Sequence, residues 1–239
     1  MTIRAMVEAD SDVLVKASRQ ELVAWAESHG IDNRSAWGRY KAALREVVGV
    51  NFDALRNVER RSQADVLENS VTHRLVLYSD AKASKERFGI CGPDRAPVWY
   101  GRFFPDDPDF DGEQSSGEMA AAKKAVWLAS KVAEALGGTV ALDLRVDAEW
   151  LCWANATDGR GGKAQVLANA ARRLGVALTV SHIPGTQNPA DKWTIADGYQ
   201  RWQDAFEKLC KQAEQTQAPG FGHGEDVKRT LRKGGDSDV

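Results

Sequence analysis

The chain has 239 residues, 43% of them hydrophobic and 28% charged, with a formal net charge of −2. That balance supports a real core and excludes a basic nucleic-acid coat, so an anionic partner must be met by local patches or bound metal. No apolar run approaches the roughly 18 residues a membrane helix needs, and MTIRAMVEADSD lacks the apolar stretch of a secretory signal.

Residues 17 to 68 read as helical. Ser18-Arg-Gln-Glu21 is a capping-box pattern, Leu22, Val23 and Ala26 follow on one face, and Gly30 stops the helix. Trp37, Tyr40, Leu44 and Val47 form a second apolar stripe that Gly49 ends, and a weaker third helix starts at Asn51. This predicts a small helical module over residues 1 to 70. It is either a packing appendage or a nucleic-acid grip, the latter favoured by Arg34, Arg39, Lys41 and Arg45.

From Val71 the periodicity changes. "HRLVLYSD" reads as a strand covered on both faces and ending at Asp80. "RFGICG" and "APVWYGRFF" read as the next two strands, joined through the Pro93-Asp94 turn. Glu118 to Leu136 is expected to be a helix, ended by Gly137-Gly138. "TVALDLRVD" is a fourth strand running into a helix, "DAEWLCWANA". Lys163 to Leu174 is a further helix, "VALTVSH" a fifth strand, and a last helix begins near Lys192 with Ile195, Tyr199, Trp202, Phe206 and Leu209 as its buried stripe. Residues 216 to 239 turn polar and glycine-rich, as in a disordered tail. The order implies a mixed five-stranded sheet in which later parallel strands extend an antiparallel meander. Residues 71 to 215 form this α/β domain.

Four acids then stand at element ends. Asp80 ends the first strand, Asp147 ends the fourth, Glu118 opens the helix after the third, and Asp191 opens the last helix. The meander pushes the second and third strands aside, so the first and fourth are neighbours and their carboxyl ends share one rim. Carboxylates gathered there repel one another unless a divalent cation joins them, and hard oxygen donors suit magnesium. A pair of such ions can activate water and stabilise a leaving oxygen in phosphodiester hydrolysis.

These residues carry a resemblance. From about Arg74 to Leu209 the chain resembles ribonuclease H, in motif style the ribonuclease H domains of long-terminal-repeat retroelements. "YSDAKAS" is similar to the first-strand motif, "SGEMAAAKKAVWLA" to the glutamate helix, "RVDAEW" to the fourth-strand aspartate, and "HIPGTQNPAD" to the retroelement ending. The resemblance implies a three-layer ribonuclease H-like fold preceded by the helical module. It implies that Asp80, Glu118, Asp147 and Asp191 bind two magnesium ions, with manganese as a substitute, and cut the RNA strand of an RNA–DNA hybrid. His182, Asn188 and Trp193 are candidates to assist or to line the substrate, and Lys82, Arg160 and Lys163 to contact nucleic acid. The alternatives are a DNA-directed nuclease, resolvase or transposase-like enzyme on this fold, and a catalytically silent nucleic-acid-binding module. The chain departs from cellular enzymes in having Ala81 after the first aspartate and only "TDGRGGKAQ" (157–165) where a basic protrusion stands.

Plainer readings compete at several positions. Asp143 is the runner-up for the fourth-strand ligand, and Asp147 can be a simple N-cap. Ser115-Ser-Gly-Glu118 is a second capping-box pattern. Asp107, Asp109, Asp111, Gly112 and Glu118 have calcium-loop spacing, but a strand precedes them, so a solvated acidic loop is expected. Lys123, Lys124 and Lys131 read as a solvated face, and Trp150 and Trp153 as core. Cys91, Cys152 and Cys210 are odd in number and match no metal spacing, as for reduced thiols in a cytoplasmic protein with no membrane partner.

Overall fold

The computed structural model describes residues 1–155 and 162–216. The chain opens with two helices too short to announce themselves by periodicity, α1 (Ile3–Ala9) and α2 (Ser11–Leu14). Helix α3 (Arg19–Ser28) begins at the expected capping box: the Ser18 hydroxyl accepts from the Glu21 amide at 3.3 Å, and the Glu21 carboxylate accepts from the Ser18 amide at 2.7 Å. Asn33 and Asn51 cap α4 (Arg34–Val47) and α5 (Phe52–Asn69) in the same way.

Val7, Leu14, Leu22, Ala26, Tyr40, Leu44 and Phe52 form one hydrophobic cluster of these helices. Tyr40 is fully buried, and its hydroxyl donates to the Leu22 carbonyl at 3.0 Å. Burial pushes that phenol up to about 12. Helix α5 is longer than its weak pattern suggested, and Phe52 is its one buried residue. Its other end leads through Ser70 alone into the first strand.

The strands are β1 (Val71–Lys82), β2 (Arg87–Cys91), β3 (Pro97–Arg102), β4 (Thr139–Val146) and β5 (Ala177–His182). They form one five-stranded sheet in the order β3-β2-β1-β4-β5. β1, β2 and β3 pair antiparallel, while β4 and β5 join in parallel. This is the mixed, helix-flanked α/β sheet expected of a ribonuclease H-like fold. A second cluster, from Leu75 to Ala213, forms its core.

Helix α6 (Gln114–Leu136) packs on β1 and β4. Ala120, Ala121, Ala122, Ala125 and Ala129 are all but inaccessible, and their small side chains let the helix lie close to the strands. Around the sheet follow α7 (Gln165–Arg173), α8 (Asp191–Ile195) and α9 (Gln203–Gln215).

Several sequence expectations are corrected. After β4 the chain enters a 3-10 run, Glu149–Asn155, rather than an α-helix, and a 3-10 turn at Gly162–Ala164 precedes α7. The last helix is broken in two. Between α8 and α9, Gly198 takes a left-handed φ of 74°, and Gln200 bridges to the edge strand by exchanging backbone bonds with Tyr100 at 3.0 and 3.2 Å. Ile195 and Tyr199 consequently leave the apolar stripe and are 48% and 68% exposed, while Trp202, Phe206 and Leu209 keep it. Trp153, expected in the core, is 42% exposed.

The lysines of α6 are not a solvated face. Lys124 pairs with Asp107 at 2.6 Å and lies over the rings of Phe88, Trp99 and Phe103, and Lys123 pairs with Asp109. Lys131 lies over Trp127 and pairs with Glu134. The acidic loop is thus tied to α6 by ion pairs, which accounts for Asp107 and Asp109 without calcium.

Gly89 marks where α8 meets the sheet. A Cβ there would lie 2.7 Å from the Ala190 carbonyl oxygen and 2.8 Å from the Trp193 Cβ, so backbone would have to move. Gly38, exposed within α4, has nothing within 4 Å of such an atom. Gly89→Ala is therefore expected to cost about 1–3 kcal/mol in urea unfolding. Gly38→Ala should stabilise by about 0.5–1 kcal/mol, as alanine does in a helix interior. Equal effects of the two substitutions would refute the close packing of α8 on β2.

Candidate metal centre at the carboxyl rim of the sheet

The parallel pairing of β1 and β4 builds the site. Tyr78 lies opposite Arg145 in the last pair of the two strands, and Asp80 and Asp147 each follow two residues further on, where that pairing stops. Adjacent strands are about 4.8 Å apart. Tyr78 and Arg145 themselves are bonded, the guanidinium donating to the phenol oxygen at 2.8 Å. That guanidinium also holds Asp143, which further accepts from Ser181 at 3.2 Å. Asp143 is thereby engaged by its own neighbours below the rim.

Asp80 is 7% exposed, and its Oδ1 accepts from the Ala81 amide at 2.7 Å. Its pKa is raised from 3.8 to about 7, first by burial, then by Asp147, with smaller pushes from Asp191 and Glu118; the Ala81 bond opposes them. The other three carboxylates thus act on Asp80 through the field at this rim. Among the described residues no group of three His, Cys, Asp or Glu side chains is placed so that it could hold a metal ion. The donor chemistry by itself fits a hard divalent cation: the candidate groups are all carboxylates, and burial first, then the acidic neighbours, disfavours the ionised form of Asp80.

Each of the other acids has its own support. Glu118 sits in the second turn of α6, which starts at Gln114 rather than at the expected residue. The capping box at Ser115 does not form. The Glu118 carboxylate instead accepts from Gln114 Nε2 at 3.1 Å and from Trp150 Nε1 at 3.0 Å. Gln114 also donates to the Ala81 carbonyl at 2.7 Å and accepts from the Ala83 amide at 3.1 Å, tying α6 to the end of β1. β1 continues past Asp80 to Lys82, which is half-buried there.

The turn after β5 supports Asp147. A Cβ on Gly185 would come within 3.1 Å of Asp147 Oδ2, so glycine permits the close approach. Asn188, a candidate substrate contact from sequence, is buried; its amide donates to the Ser79 carbonyl at 3.1 Å and to Asp147 Oδ1 at 3.3 Å. It positions the rim rather than lining a groove. Asp191 opens α8 and is exposed.

The remaining candidates scatter. His182 is exposed at the end of β5, opposite Val146. Trp193 is half-buried, tilted against Tyr100 at 5.0 Å between ring centres, with the Lys192 ammonium 4.7 Å from its own ring, so it packs against β2 and β3. Lys163 is exposed before α7, and Arg160 lies outside the described residues. Gln114 and Trp150 were missed as site residues. Trp150 stands three residues after Asp147, a spacing that carries no sequence signal for a bond to Glu118.

The raised pKa of Asp80 has a thermodynamic consequence. Its folded value lies above its unfolded value, so its stabilising contribution is fully present below about pH 4 and is lost as pH rises through 7. Without divalent cations, Asp80→Asn should therefore melt close to wild type at pH 4 and higher than wild type at pH 8. A melting difference that stays constant across that range would contradict the buried, mutually repelling site.

No family model matches the chain, and no curated protein matches it. Among solved structures it is similar to ribonuclease H1 from the halophilic archaeon Halobacterium salinarum NRC-1, at 19% identity and a TM-score of 0.34, over 52% of this chain and 99% of that one.

Proposed function

We propose that the chain is a divalent-metal-dependent nuclease that hydrolyses the RNA strand of RNA–DNA hybrids. Asp80, Glu118, Asp147 and Asp191 are its metal-holding carboxylates in this reading. The observation that carries it is the placement of Asp80 and Asp147 where the β1–β4 pairing stops, with Glu118 and Asp191 acting on the same buried group. A cluster of this kind repels a phosphate by itself, so a pure nucleic-acid binder gains nothing from it. The choice of a hybrid follows the ordered motifs from Asp80 to Asp191.

Magnesium, or manganese in its place, would supply charge neutralisation at the scissile phosphate and a more acidic attacking water. The chain's own residues orient the ligands. Trp150 and Gln114 hold the Glu118 carboxylate, Asn188 holds Asp147, and the Ala81 amide fixes one oxygen of Asp80. The division into a helical module over residues 1 to 70 and a nuclease domain over residues 71 to 215 belongs to the same proposal, as does a cytoplasmic location. No helix among the described residues is long and apolar enough to cross a membrane.

End-labelled RNA–DNA, RNA–RNA and DNA–DNA duplexes with magnesium test the substrate. Cleavage of the RNA strand of the hybrid alone is expected; cleavage of duplex DNA with the hybrid untouched would assign a DNA-directed nuclease. Asp80→Asn should lower hydrolysis by about 10²–10³-fold or more, since it removes preorganised charge at the reacting phosphate. Trp150→Phe keeps an aromatic ring at the position, with less volume, and removes the bond to Glu118. It should cost about 10–100-fold and raise the magnesium concentration needed for half-maximal rate, as losses in the shell behind metal ligands do. Wild-type cleavage by Asp80→Asn would end the four-acid reading.

A further inference from the structure

The other end of the sheet carries the opposite charge. Where β1, β4 and β5 begin, α5 and α7 enclose a groove of about 310 Å³. Its walls carry Arg60 and Arg61 from α5, Arg74 from β1 and Arg172 from α7, against a single acid, Glu68. Small residues such as Ala141, Ala168 and Ala171 form its floor and leave room above them.

These guanidiniums are not spent on the fold. Among the described residues none of the four is ion-paired. Arg60 donates only to the Gln165 amide oxygen at 3.2 Å, and Arg172 only to Asn169. The nearby Arg19 offers the contrast, since Glu59 neutralises it at 3.0 Å. Burial, then Arg56, Arg172 and Arg19, hold the Arg60 guanidinium below its ordinary value, as expected where like charges crowd without a counterion. The plain explanation, favourable placement of cations at a helix C-terminus, covers Arg172 in the last turn of α7. It does not cover Arg60 and Arg61 in mid-α5 or Arg74 on a strand.

Planar, permanently charged forks that lack carboxylates match phosphate oxygens two at a time. Arg74 and Asp80 are six residues apart on β1, which is about 20 Å at strand rise and about six phosphates along one nucleic-acid strand. Edge strand β5 runs between the two ends, with exposed Thr179 lining the groove and exposed His182 at the rim. We propose that the arginine groove is a second nucleic-acid site, which grips the phosphodiester backbone about six phosphates from the cut. Its place relative to a cut rests on the nuclease reading; its affinity for a phosphate backbone does not.

Arg61 and Arg74 are exposed and bear no ion pair, so Arg61→Ala/Arg74→Ala leaves the fold intact. The measurement is fluorescence anisotropy of the full chain with a 24-base-pair RNA–DNA hybrid in calcium, across a salt series. Loss of two phosphate contacts should flatten the slope of log K against log salt by about 2 and weaken binding roughly tenfold at 0.1 M salt. In magnesium the same variant should raise KM with kcat unchanged, as loss of uniform binding does. The control is Arg34→Ala/Arg39→Ala, which removes equal charge from an exposed face of α4 and should leave the slope at the wild-type value. An unchanged slope in the groove variant overturns the proposal, as does an equal change in the control. Stronger competition by poly-glutamate than by duplex of equal charge also overturns it, and assigns the groove to an acidic protein. If the groove slope holds but no duplex is cut, the nuclease reading fails and the groove stands. If cleavage depends on Asp80 but the slope does not depend on Arg61 and Arg74, the groove fails alone.

Discussion

Parallel registration of two neighbouring strands is the constraint on which the rest depends. Because Tyr78 faces Arg145 in the last pair, Asp80 and Asp147 both follow two residues past it, at the same rim. Like charges at strand spacing in a buried place are costly, and the fold does not remove that cost. It confines it, with a single backbone amide on Asp80, an asparagine on Asp147, and an indole with a glutamine on Glu118. Each bond fixes a carboxylate oxygen while leaving the negative charge in place. The local capping rule fails at Glu118 because α6 starts at Gln114, which leaves the Glu118 carboxylate to the Gln114 amide and the Trp150 indole.

Much of this was legible in the chain. Strand periodicity and the Gly137-Gly138 stop lead to the sheet order, because a meander followed by helix-linked strands has few right-handed solutions. What was not legible arises from contacts between residues far apart in sequence. The split between α8 and α9 depends on Gln200 finding the backbone of Tyr100, a pairing of edge strand and loop that no helical stripe encodes. Lys124 reads as solvated because its neighbours in sequence are polar or small, yet three aromatic rings from β2, β3 and the segment after β3 come to meet it. Trp150, Asn188 and Gln114 are ordinary residue types whose roles exist only once β4, α6 and the Pro184-Gly185 turn converge.

Charge is partitioned along the strands. The rim at the carboxyl ends gathers acids, the opposite end gathers arginines, and the net charge of −2 conceals both. Within the sheet Asp143 and Arg145 neutralise each other on β4 between these poles. Two of the loop acids, Asp109 and Asp107, are bound to Lys123 and Lys124. Among the described residues none of the four rim carboxylates has a basic partner.

The passage from α5 to β1 through Ser70 alone sets a mechanical phase. A flexible tether would let the first five helices adopt any bearing toward the sheet, but an unbroken helix of 18 residues transmits rotation as a shaft does. Each residue added or removed in α5 turns everything before it by about 100° and shifts it by about 1.5 Å. A length change between Arg60 and Ser70 therefore turns the face that carries Arg60 away from α7, and a change of about seven residues, two turns, restores the facing but displaces it by about 10 Å along the axis. The linker behaves as a gear tooth count, and drift in its length changes direction long before it changes reach.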